Sequence, residues 1–146
     1  MGTADRRNEP GLALRMQRER RVISAQHRQL DEFYVRLAAA LDGVDLADAS
    51  KAFWRFSDAL EAHLALEDGL YFPALRGLEP ALTRDLEALC DEHQALRGRQ
   101  AAVGRQLDAG SCAECVRPLE RLVGDLAEHE GREEGLLASL PVSRSR

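Results

Sequence analysis

The sequence predicts an all-α protein, an antiparallel four-helix bundle of up-down-up-down topology. Leu and Ala supply most of the 45% hydrophobic residues, and aromatic residues make up only 5% of the 146, a composition that favours helices over strands. Apolar residues also recur at spacings of three and four along four stretches, which is the pattern of amphipathic helices. The segments between these stretches are short, so neighbouring helices must run antiparallel.

Three segments containing glycine, with proline or aspartate, separate the four predicted helices: residues 41–45, 76–80 and 108–111. The predicted helices cover about residues 12–41, 47–75, 80–107 and 114–140. Each helix has an apolar seam, in chain order Ile23, Leu30, Leu37 and Leu41; Phe56, Leu60, Leu70 and Ala74; Leu82, Leu86, Leu89, Leu96 and Val103; and Leu119, Leu122, Leu126, Leu136 and Leu137.

We interpret residues 1–146 as a single domain with frayed ends at residues 1–10 and 142–146, which lack a seam. The 20 basic and 25 acidic residues give a formal net charge of −5, so nucleic acid is not an expected partner. No apolar run approaches the ~20 residues needed to cross a bilayer, and the N-terminal segment has no hydrophobic signal core. We therefore expect a cytoplasmic protein with no membrane partner. The oligomeric state stays open.

The strongest functional signal is a set of four histidines, one near the middle of each predicted helix. They are His27, His63, His93 and His129. In an antiparallel hairpin, two residues lie at the same height when the turn falls midway between them in sequence. The three midpoints between successive histidines, positions 45, 78 and 111, fall within or beside the three turns. All four imidazoles can therefore share one level, on the apolar faces of their helices.

Two glutamates follow histidines by one helical turn, Glu67 after His63 and Glu133 after His129. This spacing places the two side chains of each pair on one helix face, about 6 Å apart. A buried carboxylate beside an imidazole is costly unless it is paired or binds a cation. A single histidine is more often an ordinary core or surface residue, but the shared height, face and offset favour a metal site formed by the four histidines, Glu67 and Glu133.

Three motifs resemble the hemerythrin-like proteins with the HHE cation-binding domain. They are HLALEDGLYFP beginning at His63, DEH ending at His93, and HEGREE beginning at His129. The resemblance covers nearly the whole chain. It implies two iron ions, bridged by carboxylates and by a solvent-derived oxygen, with O2 as a plausible small ligand. Ligand type alone does not exclude manganese or zinc.

The chain departs from the oxygen carriers of this family in its ligand set. Those carriers have two histidines four residues apart on the third helix, whereas Leu89 and Arg97 stand four residues from His93. The carriers also place the acid of the fourth helix five residues after the histidine, and many bacterial relatives place it four residues after. Glu133 is therefore our choice and Glu134 the alternative. Asp31, four residues after His27, is another possible ligand, or could orient His27.

The resemblance and the ligand set suggest a non-haem di-iron protein that binds or senses oxygen, another small ligand or iron. The alternative is a di-iron enzyme that acts on oxygen, peroxide or nitric oxide. A metal-free interaction bundle is a third hypothesis.

Cys112 and Cys115 are a possible redox pair. Ser111 and Glu114 have capping-box spacing, which would place both thiols in the first turn of the fourth helix. A helix N-terminus lowers thiol pKa. Pro118 could instead delay the helix and leave the pair in a loop.

Overall fold

The computed structural model describes residues 10–139, and this part of the chain is entirely helical apart from its turns. The elements are α1 (Pro10–Asp42), α2 (Leu46–Leu66), a π-helical turn (Glu67–Tyr71), α3 (Phe72–Leu78), a 3-10 turn (Pro80–Leu82), α4 (Thr83–Asp108), a second 3-10 turn (Ala113–Cys115) and α5 (Val116–Ala138). Because α2 and α3 are continuous through the π-helical turn, the described chain forms four long helical segments. The predicted all-α four-helix bundle is confirmed.

The predicted helix boundaries agree with the structure to within a few residues. Pro10 is the first residue of α1, although the sequence analysis included it in a frayed end; a proline fits the first helical position because the amide there needs no partner. Residues 1–9 and 140–146, which contain the rest of both predicted frayed ends, lie outside the described residues. None of the described helices is long and apolar enough to span a membrane.

The turns end the helices by local backbone chemistry. At the start of α2, the Asp45 side chain accepts a hydrogen bond of 3.1 Å from the Asp48 amide, which satisfies one of the free N–H groups of the first turn. Just before it, Val44 has a φ of 55°. After α4, Gly110 has a φ of 83°, and glycine is the residue that adopts this left-handed conformation without strain. Turns this short favour antiparallel neighbouring helices.

The π-helical turn shifts the buried face of the second helical segment by one residue. The Phe72 amide donates to the Glu67 carbonyl, so one extra residue is accommodated in this turn. The seam predicted through Leu70 and Ala74 is therefore wrong at Leu70, which is 48% exposed. Tyr71, Phe72, Leu75 and Leu78 are buried instead.

The hydrophobic core consists of two clusters on either side of the histidine level. One lies toward the α1–α2 and α4–α5 turns and includes Leu37, Phe53, Leu60 and Leu122. The other lies toward the opposite end and includes Ile23, Tyr71, Phe72 and Leu86. The residues between the two clusters in every helix are the polar ones described next, so the bundle carries a polar layer inside an apolar core.

Candidate metal centre

The four histidines and two glutamates predicted as metal ligands meet in this polar layer. His63, Glu67, His93, His129 and Glu133 are each at most 1% exposed, and 12% of the His27 side chain is exposed. The Nε2 atoms of His27 and His63 lie 3.2 Å apart, and those of His93 and His129 lie 3.1 Å apart. The prediction that all four imidazoles share one level is confirmed by these contacts.

The ligand atoms form two groups that share one carboxylate. His27, His63, Glu67 and Glu133 form the first group, and Glu67, His93 and His129 form the second; within each group the atoms lie within 4.8 Å of one another. Glu67 Oε2 lies 3.5 Å from His63 Nε2, and Glu67 Oε1 lies 3.0 Å from His93 Nε2. Glu67 is therefore placed to bridge two cations, one in each group.

The carboxylates of the site lack partners that their burial would require. Glu67 Oε2 and both carboxyl oxygens of Glu133 are buried without a hydrogen-bond partner in the described chain. Leaving a buried polar group unsatisfied costs roughly 1 to 3 kcal/mol, so such groups usually have a function or bind an ion. The unpartnered carboxylate oxygens and the imidazole nitrogens face one another in a buried layer, and this arrangement is suited to binding a pair of cations.

Three of the histidines are oriented by polar side chains on neighbouring helices. Gln26 Oε1 lies 2.8 Å from His63 Nδ1, Asp68 Oδ1 2.8 Å from His93 Nδ1, and Glu92 Oε1 2.7 Å from His129 Nδ1. With Nδ1–H donating outward, each Nε2 turns its lone pair toward the centre, as metal-binding histidines do. No sequence pattern singles out Gln26, Asp68 or Glu92, although each is adjacent in sequence to a proposed ligand.

Two arginines fix the orienting carboxylates from the surface side. Arg97 Nη2 lies 3.3 Å from Asp68 Oδ2, and Arg132 Nε lies 2.8 Å from Glu92 Oε2. Each imidazole of the second group is thus held by a carboxylate that is itself paired with an arginine side chain. In the first group, His63 is held by a neutral amide.

His27 has a more open and more acidic surrounding than the other histidines. Glu130 Oε2 lies 3.7 Å from its Nε2, and Glu134 Oε2 lies 3.8 Å from its Nδ1. Glu134 is 71% exposed and on the outer nitrogen, so the geometry favours Glu133 over Glu134 as the ligand from α5. Asp31 is exposed and outside both groups. Two acids lie beside the inner nitrogen: Glu130, which no sequence pattern singles out, and Glu133, whose Oε1 is 3.9 Å from His27 Nε2.

Burial keeps two histidines neutral in the metal-free protein. It lowers the pKa of His27, and it lowers the pKa of His63 to about 4. Burial alone would also lower the pKa of His129, but the carboxylates of Glu67 and Glu92 raise it above the usual value. Neutral imidazole is the form that binds a cation, so His27 and His63 are ready to do so at neutral pH.

The pKa values of Glu67 and Glu133 are shifted in opposite directions. Burial would raise the pKa of Glu67, but the neighbouring imidazoles of His129 and His93 outweigh this effect, and the pKa of Glu67 falls far below the usual range. Burial and the adjacent Glu67 raise the pKa of Glu133. The two adjacent carboxyl groups therefore disfavour ionising together, and a cation bound between them would relieve this repulsion.

The hemerythrin family model, described as the hemerythrin HHE cation binding domain, matches residues 19–140. The chain belongs to this family. No curated protein and no solved structure matches the chain. The matched range contains all four histidines and both central glutamates, so the polar layer is the part of the molecule that the family description of cation binding concerns.

Within this HHE domain, α4 supplies only one histidine. Leu89 is buried in the second hydrophobic cluster, and Arg97 pairs with Glu61 and Asp68 at the surface. Neither side chain can replace an imidazole ligand. The second group of the HHE domain therefore has three ligand residues, and the first has four.

The cysteines lie away from the polar layer. Cys112 and Cys115 are buried near the start of α5, in the cluster at the α1–α2 end. The Glu114 amide donates to Ser111 Oγ at 3.1 Å, so half of the predicted capping box forms, but α5 begins only at Val116. The expectation of a lowered thiol pKa is wrong for Cys115: burial raises it. Their redox role stays a prediction.

Proposed function

We propose that this HHE domain binds two iron ions and uses them to bind or sense oxygen, another small ligand or iron itself. The proposed ligands are His27 and His63 for one ion and His93 and His129 for the other, with Glu67 and Glu133 as the bridging carboxylates. The bound ions would supply redox chemistry and a vacant coordination position. The protein would supply the buried surroundings and the fixed orientation of the imidazoles.

One observation carries this proposal: the two ligand groups share Glu67 inside a layer whose carboxyl oxygens have no protein partner. Burying these oxygens in an apolar bundle is energetically unfavourable unless a cation binds between them. Two adjacent cations neutralise both carboxylates at once, because each oxygen of a bridging carboxylate can face a different ion.

Iron is the proposed metal on the grounds of the family resemblance, because imidazole and carboxylate ligands suit iron, manganese and zinc alike. Metal analysis of protein purified without an affinity tag, followed by loading with each metal separately, tests the choice. We expect two ions per chain, with iron retained against a chelator that removes manganese.

Two single variants test the ligand assignment. His63→Ala should remove the ion of the first group, and His129→Ala that of the second, so each variant should retain about one ion per chain. Glu128→Ala, an exposed change on α5, is the matched control and should retain two. Unchanged metal content in both histidine variants would sink the proposed site.

A second candidate function is a di-iron enzyme that acts on oxygen, peroxide or nitric oxide. The three-residue group of Glu67, His93 and His129 favours it, because an ion with few protein ligands has room for a substrate. Steady-state turnover with peroxide or nitric oxide would support the enzyme. A reversible spectral change on adding and removing oxygen, without turnover, would support binding or sensing.

A further inference from the structure

The two halves of the polar layer correspond at positions 66 residues apart. His27 corresponds to His93, His63 to His129 and Glu67 to Glu133. The contacts repeat as well: Gln26 faces His63 as Glu92 faces His129, each across 37 residues. The helical hairpin formed by α1 and α2 therefore places its polar side chains as the α4–α5 hairpin does.

This correspondence breaks at one pair of inner positions. Leu64 on α2 is fully buried and belongs to the first hydrophobic cluster. The corresponding residue on α5 is Glu130, a carboxylate whose side chain is only 18% exposed. A mostly buried carboxylate in place of a leucine is costly without a partner, yet Glu130 accepts no hydrogen bond within the described chain that would explain its position.

The carboxylate of Glu130 lies beside the inner nitrogen of His27. Its Oε2 is 3.7 Å from His27 Nε2, too long for a hydrogen bond. Two ligand atoms of one cation, each about 2.1 Å from it, are about 3 to 3.6 Å apart when the angle between them is 90 to 120°. The separation of Glu130 and His27 is therefore close to that of two ligands of one ion, although Glu130 lies outside the compact group formed by His27, His63, Glu67 and Glu133.

We infer that Glu130 is a fifth protein ligand of the ion held by His27 and His63, and that the two ions are therefore inequivalent. The inference rests on the proposed function. The first ion is enclosed by two imidazoles and three carboxylates. The second has two imidazoles, the shared Glu67 and Glu133 where it bridges, and at the position corresponding to Glu130 it has only the apolar side chain of Leu64.

The consequence is that exogenous ligands bind at one ion of the pair. With about six coordination positions at each ion, the five protein ligands and a solvent-derived bridge fill the first. The second keeps at least one vacant position on the His93 and His129 side. A small ligand such as azide should therefore bind with a stoichiometry of one per pair of ions.

Glu130→Leu tests the inference by introducing the side chain found at the corresponding position, Leu64. Glu130→Gln removes the carboxylate with almost no change in side-chain volume. Glu134→Gln is the matched control, because it removes a charge from the same side of His27. Anaerobically iron-loaded proteins are challenged with a graded chelator series, and the oxidised forms are titrated with azide. Far-ultraviolet circular dichroism checks the fold of each variant.

We expect wild type and Glu134→Gln to hold two irons and to bind one azide. Both Glu130 variants should lose one of the two irons at a chelator concentration roughly ten- to a hundred-fold lower, and Glu130→Leu loaded with excess iron should bind a second azide. The inference would be overturned if a folded Glu130→Gln matched wild type in both chelator resistance and azide stoichiometry. It would also be overturned if Glu134→Gln lost iron as easily as the Glu130 variants are expected to. Fewer than two irons in wild type would instead overturn the proposed function, and this inference with it.

Discussion

Replacing Glu133 with methionine should have opposite effects on the metal-free and metal-loaded protein. The Glu133 side chain is 1% exposed and both its oxygens lack a partner in the described chain. An unsatisfied buried polar group costs roughly 1 to 3 kcal/mol, and apolar replacements of buried ionisable groups are often stabilising. Glu133→Met should therefore raise the free energy of unfolding of the metal-free protein by about 1 to 2 kcal/mol.

The metal-loaded protein should respond in the other direction, because Glu133 is one of the four residues of the first ligand group. A cation that binds only the folded state stabilises it by about 2.7 kcal/mol when its free concentration is 100 times Kd. A variant that no longer holds one ion at that concentration should lose about this amount of the metal-dependent stabilisation.

Urea denaturation followed by circular dichroism, with chelator-treated and anaerobically iron-loaded samples, measures both effects. Glu128→Met is the control: Glu128 is exposed on the same helix, and its replacement should change either free energy by no more than about 0.5 kcal/mol. A metal-free Glu133→Met that is less stable than wild type, or a metal-dependent gain as large as that of wild type, would refute the reasoning that this carboxylate is buried for a cation.

Three further perturbations test other parts of the structure. Burial lowers the pKa of His63 to about 4 in the metal-free protein, so the unfolded chain takes up the proton first as pH falls below about 6.5. His63 should therefore contribute a fall of about 2 kcal/mol in the free energy of unfolding between pH 7 and 5, and urea titrations of His63→Gln should show a shallower pH dependence; an identical slope would contradict this. Cys112→Ser combined with Cys115→Ser should leave the metal absorption spectrum unchanged, because Cys115 lies roughly 20 Å along the helix from His129; a large spectral shift would prove this wrong. Val44→Gly should stabilise the protein by roughly 0.5 to 1 kcal/mol, because it relieves a left-handed valine at an exposed turn position; a lower urea midpoint would count against it.

The height of the histidines could be predicted from sequence because it depends on two simple quantities. The rise per residue in a helix is constant, and the glycine-containing turns mark where the chain reverses, so the midpoint between two histidines locates their relative level. The contact between His27 and His63 and that between His93 and His129 follow from this arithmetic. No long-range packing information was needed.

The surroundings of the histidines could not be predicted in the same way. Whether Glu92 faces His129 or solvent depends on the rotation of α4 against α5, which helical periodicity within one element does not specify. The π-helical turn was not predicted either, because Gly69 and Pro73 mark an irregularity but do not specify the one inserted residue that changes the buried face from Leu70 to Tyr71. The sequence does carry a partial signal, a polar residue adjacent to His27, Glu67 and His93, but its meaning depends on which helices lie side by side.

The π-helical turn at Glu67–Tyr71 also bears on how the second helical segment moves. Its hydrogen bonds span five residues instead of four, so we expect local opening of the bundle to begin at this turn. Its first residue is the carboxylate that both ligand groups share. Amide hydrogen exchange in this turn should therefore be fast in the metal-free chain and slow once cations are bound, which would make the turn the segment through which metal occupancy alters the dynamics of the bundle.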